Sequence, residues 1–196
     1  MDFNGAKAFM KDFFEKLYKK LGDEAPVLLE MPDLPEEMLA DGADPTEEWN
    51  PWKLIPSTVT EKDIAEYENS CGLKFPNCIR AFYCTYHHCF NGAVGRNMPD
   101  EPFETLDQAF NPHLAANGYL PFSWDKDGYF IRCIDMSESD DEGKCAVVQF
   151  DHEKLFDMQY EYNGKEIPRE RLAELAENIS ANFYEYLNGI LAGNIE

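Results

Sequence analysis

The sequence predicts an α+β protein, with helices packed on a largely antiparallel sheet. Apolar residues recur at helical spacing near the start and the end of the chain. Between these segments lie short runs rich in aromatic and β-branched residues, separated by turn residues, as expected for strands. No internal repeat and no low-complexity tract occurs among the 196 residues. The simplest arrangement is therefore one domain with an N-terminal helical extension.

The composition is typical of a soluble globular protein, with 44% hydrophobic and 14% aromatic residues. A chain of this size can bury a sizeable core. No apolar run approaches the roughly 20 residues that a membrane helix requires, and acidic residues interrupt the N-terminal apolar pattern, unlike in a secretory signal. We therefore expect a cytoplasmic protein whose six cysteines are mostly buried, reduced thiols.

Residues 1–48 are predicted to form an extension of the domain. Apolar residues at positions 3–21 share one face of a helix, and Gly22 follows as a stop signal. Residues 23–48 contain ten acidic residues, several prolines and no Lys or Arg, which predicts a loop or a wrapped arm. One short turn is expected at 35–39.

The segment that follows the arm carries the strongest local signals in the chain. Thr60 is a good N-cap, and Asp63 lies three residues later, where its carboxylate can reach back to the free backbone donors of the first helical turn. Gly72 can adopt the left-handed conformation that ends a helix. Pro76 then begins a second helix, predicted over residues 77–90.

The second half of the chain supplies the strands and a closing helix. Residues 93–118 are expected to be irregular because prolines and glycines punctuate them. The elements predicted after them are strands at 119–124, 129–135 and 144–151, an extended piece at 155–162, and a long helix at 168–191.

Several motifs follow one another in order from Trp49 onward. The first predicted helix contains Ile64-x-x-x-Glu68 and leads into Gly72-x-x-Phe75-Pro76. Later motifs are Asn91-Gly92, Leu120-Pro121-Phe122, Gly128, Asp151 and the stretch 183–187. Together they resemble the SUKH superfamily, which includes bacterial immunity proteins against polymorphic toxins and a fungal regulator of cell-wall assembly. The resemblance implies a SUKH-like α+β binding domain over residues 49–196.

The charge balance constrains the partners. The chain has 17 Lys and Arg against 38 Asp and Glu, so its net charge is −21. Direct binding to nucleic acid or to an anionic membrane is not expected, because both require clustered positive charge. A basic protein partner is favoured, since opposite potentials accelerate association, although acidity also serves solubility alone.

The candidate partner-binding residues are acidic and lie at the end of the arm and in a polar turn. They are Glu47, Glu48, Glu138, Asp140, Asp141 and Glu142. Three tryptophans could supply the packed centre of such an interface, although each is more often a core residue. They are Trp49, Trp52 and Trp124.

Two clusters of reactive residue types raise the question of catalysis or metal binding. Cys84, His87, His88 and Cys89 lie within six residues, but one helix cannot close a tetrahedral site with adjacent ligands at 88 and 89. We expect a buried or capping cluster without a metal. In an extended segment, residues 151–153 point two carboxylates away from the histidine between them, which favours a strand-end turn over an acid–base unit.

The expected function is therefore non-enzymatic binding without a cofactor. The first hypothesis is an immunity protein that occludes a cognate, basic toxin domain. The alternative is an intracellular regulatory or scaffold module that binds a resident protein. A third hypothesis is an enzyme that uses the cysteine and histidine cluster, but no phosphate-binding loop, nucleophile elbow or zinc-protease motif supports it.

Overall fold

The structure is a computed structural model that describes residues 1–31, 33–137 and 145–195. These residues form an α+β fold with antiparallel sheets and an N-terminal helix, which confirms the predicted fold class. Among the helices in these ranges, none combines the length and the apolar character that crossing a bilayer would require.

Helices and strands are interspersed along the chain. The helices are α1 (Phe3–Glu24), α2 (Glu61–Cys71), α3 (Asn77–Tyr83), α4 (Glu104–Ala109), α5 (Pro112–Ala116), α6 (His152–Tyr162), α7 (Arg169–Ala173) and α8 (Phe183–Ala192). The strands are β1 (Leu28–Glu30), β2 (Trp49–Pro51), β3 (Ile55–Pro56), β4 (Tyr86–His87), β5 (Tyr119–Trp124), β6 (Phe130–Asp135), β7 (Val147–Asp151) and β8 (Glu177–Ser180). Strands β5-β6-β7-β8 form one antiparallel sheet in that order, and β1-β2 and β3-β4 form two small ones.

The main sheet is buried on both faces. Leu120, Ile134 and Val147 belong to one hydrophobic cluster, and their strand neighbours Cys133 and Val148 belong to another. This division follows from the alternation of side chains along a strand. Buried residues of α1, α2, α3 and α8 complete the first cluster, and those of α5, α6 and α7 complete the second. Helices therefore cover the sheet on both sides.

Helix α1 is part of the first hydrophobic cluster. It begins at Asp2, whose carboxylate accepts a hydrogen bond from the Gly5 amide at 2.8 Å. The helix continues past Gly22, the predicted stop, and ends before Ala25, which is extended and precedes Pro26. A residue before proline disfavours helical geometry, so the proline determines this boundary. The buried residues of α1 are Ala6, Met10, Phe13, Phe14 and Leu17.

The arm after α1 is wrapped onto the same cluster. Strand β1 pairs with β2, and a short 3₁₀ turn at Glu36–Met38 confirms the turn expected at 35–39. Leu29, Leu34 and Met38 are buried in the first cluster. Helix α1 and the buried residues of the arm thus pack into the same core as α2, α3 and α8.

Helix α2 has the capping arrangement that the sequence predicts. The Thr60 amide donates to the Asp63 carboxylate at 2.8 Å, and the Asp63 amide donates to the Thr60 hydroxyl at 3.3 Å. Gly72 ends the helix with a φ of 73°. Phe75 returns to the core and Pro76 precedes α3, as expected.

The acidic residue of the α2 motif is buried rather than solvent-exposed. Glu68 is 2% exposed. Its carboxylate accepts hydrogen bonds from the Phe75 amide at 2.8 Å, from Lys74 at 2.8 Å and from Arg80 at 2.7 Å. Because these donors lie on the turn after α2 and on α3, the Glu68 side chain joins the two helices.

The prediction of one helix over 77–90 is wrong. Helix α3 ends at Tyr83, Cys84 occupies the C-cap position, and the chain turns into β4. The reversal occurs because β4 pairs with β3, with Ile55 opposite His87. Pairing between segments so distant in sequence is not visible in local spacing. Residues 93–118, expected to be irregular, also contain α4 and α5.

The strand predictions at 119–124 and 129–135 correspond to β5 and β6, and β7 begins at Val147. The extended piece predicted at 155–162 is instead helix α6. The Asp151 carboxylate caps it by accepting hydrogen bonds from the Glu153 and Lys154 amides at 3.0 and 3.2 Å. A strong N-cap at the end of β7 starts the helix, and the cap outweighs the local strand signals.

The long helix predicted at 168–191 is also wrong, because it consists of α7, β8 and α8. Strand β8 pairs with β7, with Val147 opposite Ser180 and Gln149 opposite Glu177. This pairing completes the main sheet and interrupts an apolar pattern that reads locally as one helix. Gly193 ends α8 with a φ of 73°, as its position predicts.

Candidate functional site

An exposed apolar surface lies on the outer side of the β1-β2 pair. Leu28 pairs with Pro51, Leu29 with Asn50, and the residue after Leu29 with Trp49. Because side chains alternate along a strand, Leu29 and Asn50 point inward and are buried. Leu28 and Trp49 point outward and are 45% and 51% exposed. We refer to Leu28, Glu30, Trp49 and Pro51 as the tryptophan face.

Hydrogen bonds on the inner side hold this face in place. The Asn50 side-chain amide donates to the Glu47 carbonyl at 3.0 Å, and the Met31 amide donates to the Glu48 carbonyl at 2.8 Å. Leu29 packs into the first hydrophobic cluster. The backbone that carries Trp49 is therefore fixed before any partner binds.

The three tryptophans have different environments. Trp52 is buried, with its ring 5.1 Å from those of Tyr18 and Phe90. Trp124 is half-buried and makes an edge contact with the His152 ring at 6.0 Å. Trp49 is the one that the β1-β2 register directs outward, and it is the most exposed of the three and therefore the most accessible to a partner.

Carboxylates lie on the tryptophan face and directly before it in the chain. Glu30 is directly opposite Trp49, and Glu47 and Glu48 precede it; all three acidic side chains are exposed. Within the described ranges, none of these three carboxylates forms an ion pair or accepts a side-chain hydrogen bond. In contrast, Asp41 pairs with Lys53 at 2.9 Å. The negative charge next to Trp49 is thus available to a cationic group.

The structure places the sequence-predicted residues as follows. Glu47 and Glu48 border the tryptophan face. The other four candidates, Glu138, Asp140, Asp141 and Glu142, lie outside the described residues. Sequence reasoning missed Leu28 and Glu30. The signal available for them was the short apolar run between Pro26 and Pro32, which is typical of a short strand.

The cysteine and histidine cluster does not lie on one helix, as the sequence interpretation assumed. His87 Nε2 accepts the Thr58 amide at 2.9 Å, so its Nδ1 carries the proton and donates to the Asn97 side-chain oxygen at 3.0 Å. His88 lies between aromatic rings, with centroids 4.7 Å from Phe14 and 5.1 Å from Phe90. The two histidines therefore lie in different environments: His87 is hydrogen-bonded, and His88 packs between aromatic rings.

The thiols of this cluster are buried as expected. Burial raises the pKa of Cys84 to about 11 and that of Cys89 to about 12, so neither is a thiolate near neutral pH. Their burial matches the expectation of a buried or capping cluster, since Cys84 also occupies the C-cap of α3. All six cysteines are free thiols.

Residues 151–153 do not form an acid–base unit. Hydrogen bonds from the Lys154 and Glu153 amides lower the pKa of Asp151, whose role is to cap α6. His152 faces the Tyr129 carbonyl, with Nδ1 at 3.0 Å from that oxygen. In the part of the chain that the structure describes, no group of three or more His, Cys, Asp or Glu is placed to hold a metal ion.

The fold and this surface define an α+β protein with an exposed tryptophan beside carboxylates that have no ion-pair partner among the described residues. No family model, no curated protein and no solved structure matches the chain.

Proposed function

We propose that the chain is a non-enzymatic binding protein of SUKH type, an immunity protein that binds a basic bacterial toxin domain and neutralises it by occlusion. The observation that carries the proposal is the tryptophan face. A large exposed aromatic beside a second apolar residue is the composition of an interface centre. The SUKH assignment itself rests on the ordered sequence motifs.

Electrostatics supports a basic partner. The net charge of −21 creates an attractive field for a cationic domain. Glu30, Glu47 and Glu48 add local complementarity around Trp49. The mechanism needs no bond making, because a folded surface that covers the toxin's cleft excludes its substrate.

We expect the substitution Trp49→Ser to weaken binding to the cognate toxin domain by at least about tenfold, because truncating a hot-spot aromatic costs about 2 kcal/mol or more and about 1.4 kcal/mol corresponds to tenfold in affinity. The matched control is Phe110→Ser, which removes another exposed aromatic side chain outside this face. The measurements are calorimetric affinity and the survival of cells that express the toxin domain encoded next to this chain. Equal affinity of the two variants would place the interface elsewhere.

Reversing the charge of Glu30, Glu47 and Glu48 together to Lys should slow association at low salt, with a smaller effect at high salt, because long-range steering is screened. Stopped-flow association rates measure this effect. The same reversal at Glu138, Asp140, Asp141 and Glu142 is the comparison, and it shows which of the two acidic segments contributes more to the association rate. An association rate unchanged by the first variant would exclude its carboxylates from steering.

The alternative, a regulatory or scaffold module, makes a different prediction for the same experiment. In that case the chain gives no protection against any neighbouring toxin domain. It instead retains a resident basic protein, and the Trp49→Ser variant releases that protein. Partner identity therefore decides between the two functions.

A further inference from the structure

A second exposed aromatic surface lies on α6, which packs on the other hydrophobic cluster. Leu155 and Met158 bury the inner side of this helix. Phe156 and Tyr160, one turn apart on the outer side, are 65% and 81% exposed. Residues 153, 156, 157 and 160 follow the spacing of one helical face. We call Glu153, Phe156, Asp157 and Tyr160 the α6 face.

This face lies on a helix that is capped at both ends. Asp151 caps the start of α6, and Asn163 ends it in the left-handed conformation, with a φ of 48°. The His152 amide donates to the Tyr129 carbonyl at 3.0 Å, so Tyr129, another exposed aromatic residue, lies beside the first turn. A single exposed apolar residue needs no explanation, but adjacent large aromatics on a fixed helix are typical of a binding surface.

The charges on the face are negative. Glu153, Asp157 and Glu161 are exposed, and within the described ranges their carboxylates form no ion pair or hydrogen bond. The nearest cation in sequence, Lys154, is paired with Asp151 at 3.5 Å. The aromatic rings are thus interleaved with carboxylates that have no protein partner in this part of the chain.

The exposed rings and carboxylates of the α6 face favour some binding partners over others. A second copy of the chain would bring like carboxylates together in a protein of net charge −21. An anionic membrane is disfavoured for the same reason. A guanidinium group, in contrast, stacks flat on an aromatic ring and forms bidentate pairs with a carboxylate. A shallow hollow of about 430 Å³, lined by His152, Glu153, Phe156 and Asp157, lies at the base of the face.

We propose that the α6 face binds an arginine-rich segment of a protein partner. Guanidinium groups stack on Phe156 and Tyr160 and pair with Glu153 and Asp157. Arginine is preferred to lysine because the ammonium group of lysine is compact, strongly hydrated and unable to stack. The inference goes beyond the proposed function, since it concerns a separate surface and holds for a toxin or for a resident partner.

The test uses the full chain and a fluorescein-labelled peptide of alternating Arg and Gly, followed by fluorescence anisotropy. The reference probe is a peptide of equal length in which Lys replaces Arg. We expect the unaltered chain to bind the Arg peptide more tightly. The double variant Phe156→Ser with Tyr160→Ser should bind it about tenfold more weakly and lose the preference for Arg. The variant Phe110→Ser, which removes an exposed aromatic side chain outside both the α6 face and the tryptophan face, is the matched control and should keep both properties.

Further outcomes decide the proposal without reference to a toxin. Equal affinity of the unaltered chain for the two peptides, or an unchanged affinity in the double variant, would overturn it. A chain that sediments as a dimer and becomes monomeric in the double variant would assign the face to a second copy. Because both aromatic side chains are exposed, circular dichroism should show a folded double variant. If it does not, Glu153→Gln with Asp157→Gln, which retains the rings, must still weaken binding of the Arg peptide.

Discussion

The substitution Glu68→Ala should lower the free energy of unfolding by about 3 kcal/mol, near the lower end of the range for breaking a buried ion pair. The loss leaves the Phe75 amide without its acceptor and removes the carboxylate that pairs with Arg80 and Lys74. Both cations are partly exposed, so water compensates some of the loss. Urea denaturation followed by circular dichroism measures the effect.

The control for this experiment is Glu66→Ala on the same helix. Glu66 is exposed and forms a surface pair with Lys62, so its removal should change the free energy of unfolding by less than about 0.5 kcal/mol. Equal effects at Glu66 and Glu68 would contradict the role of the buried carboxylate as the link between α2 and α3.

The contribution of the Glu68 carboxylate to the free energy of unfolding also depends on pH, and the direction of this dependence follows from its pKa. Burial acts to raise the pKa of Glu68, but the hydrogen bonds from Lys74, the Phe75 amide and Arg80 outweigh it, and the pKa is lowered from its ordinary 4.5. A carboxyl group with a lowered pKa stabilises the fold above its unfolded value and loses that contribution as the pH falls. The isosteric variant Glu68→Gln should therefore be less stable at neutral pH and lose less stability below pH 4.5.

The His88 side chain should also make the protein less stable on acidification. This loss of stability should begin at a higher pH than the loss that comes from Glu68. Burial, with a smaller contribution from His87, lowers the pKa of His88 from 6.5 to about 3. Neither ring nitrogen has a hydrogen-bond partner among the described residues. Rings of Phe14, Phe82 and Phe90 surround it, so the folded state holds the imidazole neutral.

The sign follows from proton binding in the two states. Below 6.5 the unfolded state binds a proton at His88 that the folded state does not bind until the pH approaches about 3. Stability should fall through this window by roughly 2 kcal/mol at pH 5, and by about 4 to 5 kcal/mol near pH 3. The His87 pKa is also lowered, mainly by burial, and adds a loss of the same sign.

The variant His88→Phe tests this assignment, because it removes the titrating group and the two ring nitrogens for which the described part of the chain offers no hydrogen-bond partner. Its free energy of unfolding, measured by urea denaturation between pH 7 and pH 4, should fall less steeply than that of the unaltered chain. His113→Gln, on α5, is the comparison. A slope unchanged by His88→Phe would mean that His88 is not held neutral in the folded state.

Local signals were sufficient where one segment determines its own structure. The reciprocal cap of Thr60 and Asp63, and the left-handed glycines at 72 and 193, depend on neighbours within a turn. Strands β5, β6 and β7 also agree with the sequence pattern. The predictions were wrong at β4 and β8, because each forms by pairing with a strand distant in sequence.

The candidate sites likewise combine features that follow from the local sequence with features that depend on contacts between distant segments. The sequence predicted acidic binding residues and identified Trp49, Trp52 and Trp124 as possible anchors, but it could not decide which of them is exposed. The register of β1 against β2 exposes Trp49, while packing against Tyr18 and Phe90 buries Trp52. Likewise, the exposure of Phe156 depends on which side of α6 faces the sheet.

By itself, the sequence determined the α+β class, the capped first helix of the motif, the central strands and the acidic balance, because these follow from composition and from interactions between near neighbours. Only the tertiary structure decided which tryptophan is exposed, that the cysteine and histidine cluster is divided between a hydrogen-bonded and an aromatic environment, and that α6 carries an aromatic outer face. These features depend on strand register and on packing between distant segments, which no local pattern specifies.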